Sequence, residues 1–523
     1  IFHISFLFLF LSLASSQGLG SSSVQGAFGA VTIDGKIWNQ VALRPIIPIG
    51  KVSVALDIVF YIDQDGNIHD DEWDFSDGKK SKNSIIDKIY YIRYGKKWDP
   101  FYFQVGALDN VTLGKGILVN RYTNTILYPQ VRKVGMDIKF KVSGFNFYGF
   151  TNDFKENLGL TGFRVSKNII NGINIGGALV ADRNQYLGLR DSDNDGRPDL
   201  VDDFPDDPLY WLDTDGDGIA DVDPNELDID GDGVTDTLDS NIPGWDLDSI
   251  YVLDTDIMRK PEPLNVQNRK RSIYAVSLDA SKTILAESNM SVSIYAQFAS
   301  LIGKTVDPIS AEEVSLGNGF IPFGLSTKLG PARFKFEYRM MPSGKFEFGY
   351  WDRSYEIERA TFSSSFMNDN SGLRTGEIIT KDSRLGKFGK QKGYFSTLSI
   401  DLGEMVGASM SYQNLFGEQW NENESNFNND RNQSFIAGIR LKKPISKITN
   451  ARWYYQQRNV PNPFDFEFTE STISGYRVGI KLGNGMILNY IFRQSFRDID
   501  GDGRVDGKDE TINMTSIETS FSF

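Results

Sequence analysis

Segments in which apolar and polar side chains alternate run through most of this 523-residue chain, and they constrain its fold more than any other feature. In residues 134–142, Val134 and Met136 lie on one face of a strand, and Asp137 and Lys139 lie on the other. Successive side chains of a β-strand point to opposite faces, so such a segment has one apolar and one charged face. Similar alternation occurs in residues 51–62, 333–340, 398–413 and 476–493. The pattern predicts an all-β protein.

Strand and loop lengths distinguish the two all-β architectures that alternate in this way, the soluble β-sandwich and the transmembrane β-barrel. The alternating segments span nine to twelve residues, whereas strands of globular proteins most often span about five or six. Very short turns alternate with long polar loops, which is typical of a barrel with one tight rim and one elaborated rim. No run of about 18 consecutive apolar residues occurs, so a helical membrane protein is excluded. We therefore expect a transmembrane antiparallel β-barrel of roughly 18–22 strands.

The end of the chain supports the same expectation. In residues 512–523, Ile517, Phe521 and Phe523 share one face, opposite polar residues. This strand resembles the C-terminal strand of Gram-negative outer-membrane proteins. The resemblance implies recognition by the outer-membrane assembly machinery through Phe521 and Phe523, and a barrel wall in contact with outer-membrane lipid. A secreted soluble β-protein is the alternative.

The first residues have the pattern of an export signal. Residues 6–13 form an apolar run that is too short to span a bilayer but suits the central region of a signal peptide. Ala14 and Ser16 provide the small residues of a cleavage site, so we expect cleavage after Ser16. The expected organisation is a signal peptide (1–16), the N-terminal part of the barrel (17–182), an acidic insert (183–271) and the C-terminal part of the barrel (272–523).

The composition excludes most enzymatic chemistry. The chain has no cysteine, which excludes disulfides, thiolate metal sites and cysteine nucleophiles. Of its two histidines, His3 lies in the expected signal peptide, so His69 alone would remain in the mature protein. His69 stands beside Asp70, Asp71 and Glu72 in a polar loop, where we expect a solvated residue instead of a catalytic one. We therefore expect that the protein is not an enzyme.

The acidity of the chain is concentrated in one segment. The formal net charge is −14, yet residues 191–248 contain 20 Asp, one Glu and one Arg, so that the rest of the chain carries +6. Such a segment repels phosphate, and no basic run occurs elsewhere. We therefore expect no nucleic-acid partner.

One short phrase, D-x-D-x-D-G-x-x-D, occurs three times in the acidic insert. Its members are Asp191, Asp193, Asp195 and Asp199, then Asp213, Asp215, Asp217 and Asp221, and then Asp228, Asp230, Asp232 and Asp236. Carboxylate oxygens at alternate positions converge on one hard cation, and the glycine allows the turn that wraps the chain around it. Three uncompensated carboxylates in one loop repel one another without a metal. The repeats therefore predict bound Ca²⁺.

These repeats resemble the bacterial calcium repeats of the thrombospondin type 3 class. The resemblance implies structural calcium in an adhesive or spacer region and no catalysis. The segment departs from the animal pattern because it has no cysteine, so calcium alone would hold its fold. A fourth loop, EF-like or dockerin-like, precedes the last strand, with the candidate metal ligands Asp498, Asp500, Asp502, Asp506 and Asp509.

If the apolar faces contact lipid, the charged faces line the lumen of the barrel. The expected lumen residues are Asp57, Asp137, Lys139, Lys141, Arg333, Lys335, Glu337, Arg339, Glu347, Asp401, Arg477, Lys481, Arg493 and Glu518. A salt-bridged lumen that only stabilises the barrel and a water-filled pore with a slight anion preference both fit this set. Residues 108–130 are too rich in Gly and Asn for a strand and too apolar for a free surface loop. We expect them to fold inward as a constriction loop.

The sequence leaves the side of the insert open. Counted from the N-terminus, the insert falls outside the cell; counted from the C-terminus, it falls inside unless residues 354–390 contain a further strand. We expect the outside, where long insertions in barrels normally lie. The favoured function is a porin-like channel for small solutes. The alternative is a surface structural or adhesive protein that uses the barrel to anchor a calcium-rigidified domain, and an extracellular partner or a homo-oligomer stays open.

Overall fold

The alternating segments pair in chain order into a closed antiparallel β-barrel of twenty strands in the computed structural model. The structure describes residues 23–33, 36–69, 73–97, 99–129, 131–233, 258–366, 374–421, 424–483, 485–497, 505 and 510–522. The expectation of an all-β barrel with roughly 18–22 strands is confirmed.

The barrel strands are numbered in chain order. They are β1 (Ser23–Ile33), β2 (Lys36–Ile49), β3 (Val52–Leu56 and Ile58–Ile62), β4 (Ile89–Tyr94), β5 (Phe101–Gly106), β6 (Gly135–Val142), β7 (Phe145–Thr151), β8 (Leu160–Asn168), β9 (Ile173–Asp182), β10 (Ile273–Ala286), β11 (Met290–Ile302), β12 (Asn318–Leu329), β13 (Ala332–Met341), β14 (Phe388–Leu402), β15 (Val406–Asn421), β16 (Asn426–Leu441), β17 (Ile448–Val460), β18 (Ile473–Gly483), β19 (Met486–Phe496) and β20 (Thr511–Ser522). β1 pairs with β20 in a register that includes Gln25 with Ser522 and Val31 with Ser516, and this pairing closes the sheet.

Few other regular elements accompany the barrel. They are the helices α1 (Gly78–Asp87) and α2 (Tyr355–Glu358), the 3₁₀ turns Ile170–Gly172, Gln185–Gly188 and Ser383–Lys387, and two small hairpins, Lys304–Val306 with Glu313–Ser315 and Ala360–Phe366 with Arg374–Thr380. α1 begins after Asp77, whose carboxylate accepts hydrogen bonds from the backbone N–H groups of Lys79 and Lys80. None of the helices in the described ranges is long and apolar enough to cross a membrane.

The two rims of the barrel carry connections of very different length. Both barrel ends of the chain, Ser23 and Ser522, lie on one rim, where the nine connections span two to six residues. The opposite rim carries the long connections, which are residues 63–88, 107–134, 183–272, 303–317, 342–387, 461–472 and 497–510. Nine strands precede the acidic insert and eleven follow it. Both numbers are odd, so both counts place the insert on the long-connection rim, which resolves the disagreement between the two counts in the sequence.

The barrel is apolar on its outside and polar on its inside. Leu179 and Leu278 on the outer face are 61% and 63% exposed. Glu337 and Asp137 on the inner face are 0% and 1% exposed. The burial of charged groups and exposure of apolar groups confirm the assignment of the charged faces to the lumen and exclude a water-soluble sandwich.

Candidate functional site

Two long connections fold into the lumen and meet there. Residues 107–134 join β5 to β6, and residues 342–387 join β13 to β14. The backbone N–H of Trp351 donates to the carbonyl of Leu118 at 3.1 Å, and the N–H of Asn120 donates to the carbonyl of Trp351 at 3.0 Å. The two connections form one body, called the plug below. The inward fold expected for residues 108–130 is confirmed for the part of that loop that the structure describes.

An apolar cluster holds the plug against one side of the wall, from β7 to β12. Tyr122, Phe346 and Trp351 of the plug are each 0% exposed, and they pack with small inward residues of the wall such as Ala178. Gly319 of β12 also leaves room for the plug, because a Cβ at this position would lie 2.2 Å from the ring of Phe346. Further members of the cluster are Leu113, Ile117, Leu118, Val119, Val180, Ala275, Tyr295, Ala299, Leu301, Ile321 and Tyr350.

Buried ion pairs fasten the plug on the same side. The Nζ atom of Lys133 lies 2.6 Å from the carboxylate of Glu156 and 2.5 Å from that of Glu356. The guanidinium of Arg359 lies 2.7 Å from Asp182 and 2.8 Å from Glu156. All five side chains are at most 9% exposed. Charges buried to this degree are tolerated only as pairs, so these contacts oppose any separation of the plug from β7–β12.

The other side of the lumen, from β13 to β17, keeps an open void of about 50 Å³ between the plug and the wall. Its lining residues are Asn120, Arg121, Phe348, Gly349, Asp352 and Arg353 of the plug and Arg339, Phe395, Ser411, Gln413, Ser434, Ile436, Gln456 and Arg458 of the wall. Amide, hydroxyl and guanidinium groups dominate this surface. Such a polar lining favours water over apolar packing.

Three arginines stand side by side on neighbouring strands of the wall. Arg452 of β17 is paired in register with Arg440 of β16 and with Arg477 of β18. None of these three, called the arginine row below, has a carboxylate within 4 Å among the described residues. Like charges opposite one another destabilise a sheet. Burial, together with the charges of Arg452 and Arg121, lowers the pKa of Arg353 to about 10, so the plug adds two further arginines to the same surface.

Several expected lumen charges are paired with each other instead. Arg44 lies 2.8 Å from Asp57 and 2.8 Å from Glu518, and Glu337 lies 2.6 Å from Arg339. The two interpretations of the lumen charges therefore apply to different parts of the wall. Ion pairs stabilise some of it, including Arg339 and Arg458 beside the void. The arginine row takes part in no ion pair among the described residues.

Sequence analysis missed most of the arginines on the open side. Arg440 and Arg452 lie on strands whose alternation also identifies them, since Arg440 stands between Ile439 and Leu441. Arg121 and Arg353 carry no such signal. They belong to connections without periodicity, and only the fold of the plug brings them to the lumen.

The three calcium repeats adopt a common local structure in their described residues. The carboxylate oxygens of the first three aspartates converge within 4.8 Å in each loop: Asp191, Asp193 and Asp195; Asp213, Asp215 and Asp217; and Asp228, Asp230 and Asp232. In each loop the N–H of the glycine donates to the first aspartate, at 3.1, 2.9 and 2.9 Å for Gly196, Gly218 and Gly233. These glycines have φ values of +97°, +95° and +86°, a conformation that favours glycine.

The ninth-position aspartates have another role in the described geometry. Asp199 accepts hydrogen bonds from the backbone N–H and the hydroxyl of Ser192, at 2.7 and 2.8 Å. Asp221 accepts the same pair from Thr214, at 2.7 and 2.8 Å. Both carboxylates close their loop, while the convergent group consists of the first three aspartates.

Buried carboxylate oxygens without a hydrogen-bond partner indicate whether a cation fits these loops. Among the described side chains, Asp191, Asp193 and Asp228 each have one buried oxygen without a hydrogen-bond partner. Asp202 is a fourth such residue: it is 6% exposed, and one of its oxygens is also buried and unpartnered. Burial raises the pKa of Asp202 to about 6, with a further increase from the charges of Asp195 and Asp193. The donor set of the first loop therefore fits a hard divalent cation.

Asp202 was missed by sequence analysis although a signal was present. It lies eleven positions after Asp191, which is the twelfth position of an EF-like loop. The corresponding position of the second loop is Pro224, so the three repeats are not equivalent.

Some predicted residues lie outside the described part of the chain. These are Asp236, Asp498, Asp500, Asp502, Asp506, Asp509, Phe523 and the expected signal peptide. Asp70, Asp71 and Glu72 beside His69 also lie outside it, whereas the ring of His69 itself contacts Trp38 edge-on, with ring centroids 4.8 Å apart.

Comparison with known proteins gave only structural likenesses. No protein-family model and no curated protein matches the chain. OccK10 (OpdN) from Pseudomonas aeruginosa is 7% identical with a TM-score of 0.35, covering 96% of this chain and 98% of that protein. The outer membrane protein OpdK from the same organism is 8% identical with a TM-score of 0.35 and the same coverage. Because these identities and scores are low, the function is argued below from this chain's own residues.

Proposed function

We propose that this chain is a porin-like channel of the bacterial outer membrane, through which small anionic solutes pass between the plug and β13–β18. The observation that carries the proposal is the arginine row, Arg440, Arg452 and Arg477, which faces the lumen without a partnering carboxylate among the described residues. An uncompensated cationic surface in a narrow, water-filled passage attracts anions and raises their local concentration. The apolar outer face of a closed barrel supports a location in a membrane.

The test is the ion selectivity of single channels in planar lipid bilayers. Replacing Arg440, Arg452 and Arg477 together by Gln should lower the chloride-to-potassium permeability ratio, measured as the reversal potential in a salt gradient, while conductance steps persist. The ratio should fall because the triple variant removes three neighbouring lumen-facing cations that lack a carboxylate within 4 Å among the described residues.

A matched control removes the same charge from outside the lumen. Lys79, Lys80 and Lys82 lie on α1, in the connection between β3 and β4, and their joint replacement by Gln should leave the permeability ratio unchanged. An unchanged ratio in the arginine variant, or bilayers that stay silent with folded and inserted protein, would contradict the proposed function.

The acidic insert is proposed to bind structural Ca²⁺ and to lie on the extracellular side. Three convergent carboxylate groups in a repeated backbone geometry support the metal, and the position of the insert on the long-connection rim supports the extracellular side. We expect Asp202→Asn to weaken calcium binding at the first loop about tenfold, since it removes a buried charge beside three others. Calcium titration calorimetry of the whole protein measures this, and Asp206→Asn, an exposed change in the same segment, is the control.

A surface structural or adhesive role for the insert is the second candidate, and the threefold repeat of the calcium loop favours it. Silent bilayers combined with calcium-dependent resistance of the insert to proteolysis would support this role over the channel. Under both candidates the barrel contacts outer-membrane lipid, and we propose that the outer-membrane assembly machinery recognises the last strand through Phe521 and Phe523.

A further inference from the structure

One connection of the long-connection rim turns outward instead of into the lumen. Residues 461–472 join β17 to β18, and the side-chain amide of Gln457 donates to the backbone carbonyl of Glu467 at 2.6 Å. Gln457 is paired with Phe435, which is itself paired with Tyr412. These positions share the outer face of the sheet with Met410, which is 47% exposed. The connection therefore lies against the outside of the barrel wall, and we call it the outer loop.

Three phenylalanines hold the outer loop to the wall. Phe464 contacts Tyr412 and Phe435 with ring centroids 5.7 and 5.3 Å apart, Phe466 contacts Tyr455 at 6.2 Å, and Phe468 stacks on Phe496 at 4.4 Å. The loop thus crosses the outer faces of β15, β16, β17 and β19. These tilted and stacked contacts fix its position, so its exposed surface is a defined feature of the fold.

The same rings also face away from the wall. Phe464, Phe466 and Phe468 remain 48%, 60% and 45% exposed. Asp465 and Glu467 stand between them and are exposed as well. The outer loop therefore has one aromatic edge and one acidic edge, although it is not a strand.

The aromatic edge is continuous with the apolar band of the outer wall. On β15, Met410 lies on one side of Tyr412 and Phe416 on the other, and these two residues are 47% and 54% exposed. Aromatic rings are favoured where a bilayer meets water. Resting on the proposed membrane location, we propose that Phe464, Phe466 and Phe468 insert into the lipid of the outer leaflet at its boundary with water, where the outer loop anchors the barrel at a fixed depth.

The absence of cysteine from the chain makes site-directed spin labelling a direct test. Single variants Phe466→Cys and Asp465→Cys are labelled with a nitroxide in the refolded, lipid-inserted protein. Collisions with oxygen, which partitions into lipid, are compared with collisions with a water-soluble nickel chelate. The oxygen-to-nickel accessibility ratio should be several-fold higher at position 466 than at position 465. Phe466→Cys removes the contact with Tyr455, but Phe464 and Phe468 keep their ring contacts with the wall in this variant.

Met410→Cys separates failure of this proposal from failure of the membrane location. An oxygen-accessible label at position 410 with a nickel-accessible label at position 466 would overturn the anchor and leave the membrane barrel intact. Nickel access at both positions would overturn both proposals. Spin–spin broadening at position 466 that disappears on dilution with unlabelled protein would assign the aromatic edge to contact with a second copy of the chain and would also overturn the anchor.

Discussion

The two sides of the lumen differ although the same alternating pattern builds both. From β7 to β12, inward positions hold small or apolar residues such as Ala178 and Ala299, and the plug packs against them with buried ion pairs at its edge. From β13 to β17, inward positions hold Gln456, Arg458 and other polar side chains. The plug meets this part of the wall through polar contacts, such as the ion pair of Arg458 with Asp352 at 2.6 Å, and a polar void remains beside them. Apolar loops gain free energy by covering apolar wall positions and lose it by covering unpaired cations. The inward residues of the wall thus decide where the barrel is filled and where it is open.

Loss of the Arg359 side chain should reduce the difference between the two sides of the lumen more than any other single substitution. Arg359→Ala leaves Asp182 and Glu156 buried beside the plug without their main partner, a change that costs about 3–5 kcal/mol in comparable buried pairs. We expect the plug to loosen from β7–β12, with a larger single-channel conductance and a lower free energy of unfolding in denaturant titration.

Arg384→Ala is the control for that variant. Arg384 belongs to the same connection and pairs with Glu470 at 2.8 Å, but both side chains are partly exposed, so its loss should change stability by less than about 1 kcal/mol. A folded Arg359 variant with wild-type conductance would show that the ion pairs do not hold the plug.

The two sides of the lumen show which features of the structure can be predicted from the sequence. The barrel, an approximate number of 18–22 strands and the inward loop follow from local pattern, because strand alternation and loop composition are properties of neighbouring residues. The pairing of Lys133 with Glu356 joins positions 223 residues apart, and no periodicity relates them. The same holds for Arg353 and Arg452, which approach each other only after the plug has folded. In the insert, Asp202 occupies the twelfth position of an EF-like loop that begins at Asp191, but only its burial distinguishes it from neighbouring aspartates.

Two variants with larger side chains, one on each side of the lumen, should have effects of intermediate size. Gly319→Val on the filled side places atoms where the ring of Phe346 already packs, and we expect a loss of about 1–3 kcal/mol in the free energy of unfolding. Ile436→Phe on the open side projects into the void, so it should keep its stability and lower the conductance. Denaturant titration and bilayer recording of both variants measure these effects. Equal stability losses would mean that the void is not an open passage.

The smallest expected effects come from removing one tyrosine hydroxyl on each side of the lumen. Tyr350 on the filled side donates to the Oε1 atom of Gln185 at 3.2 Å, and both side chains are 0% exposed. Tyr454 on the open side makes no hydrogen bond among the described residues, and its ring lies 5.3 Å from the guanidinium of Arg353. Tyr350→Phe leaves the buried amide of Gln185 without this partner, so it should lower the free energy of unfolding by about 1 kcal/mol.

Tyr454→Phe keeps the ring and its contact with the guanidinium, so its effect on unfolding should stay within about 0.5 kcal/mol. Both variants remove a single oxygen, so the difference between their free energies of unfolding reports the effect of burial and not of side-chain size. If Tyr454→Phe destabilises the barrel as much as Tyr350→Phe does, the open side is packed as tightly as the filled side.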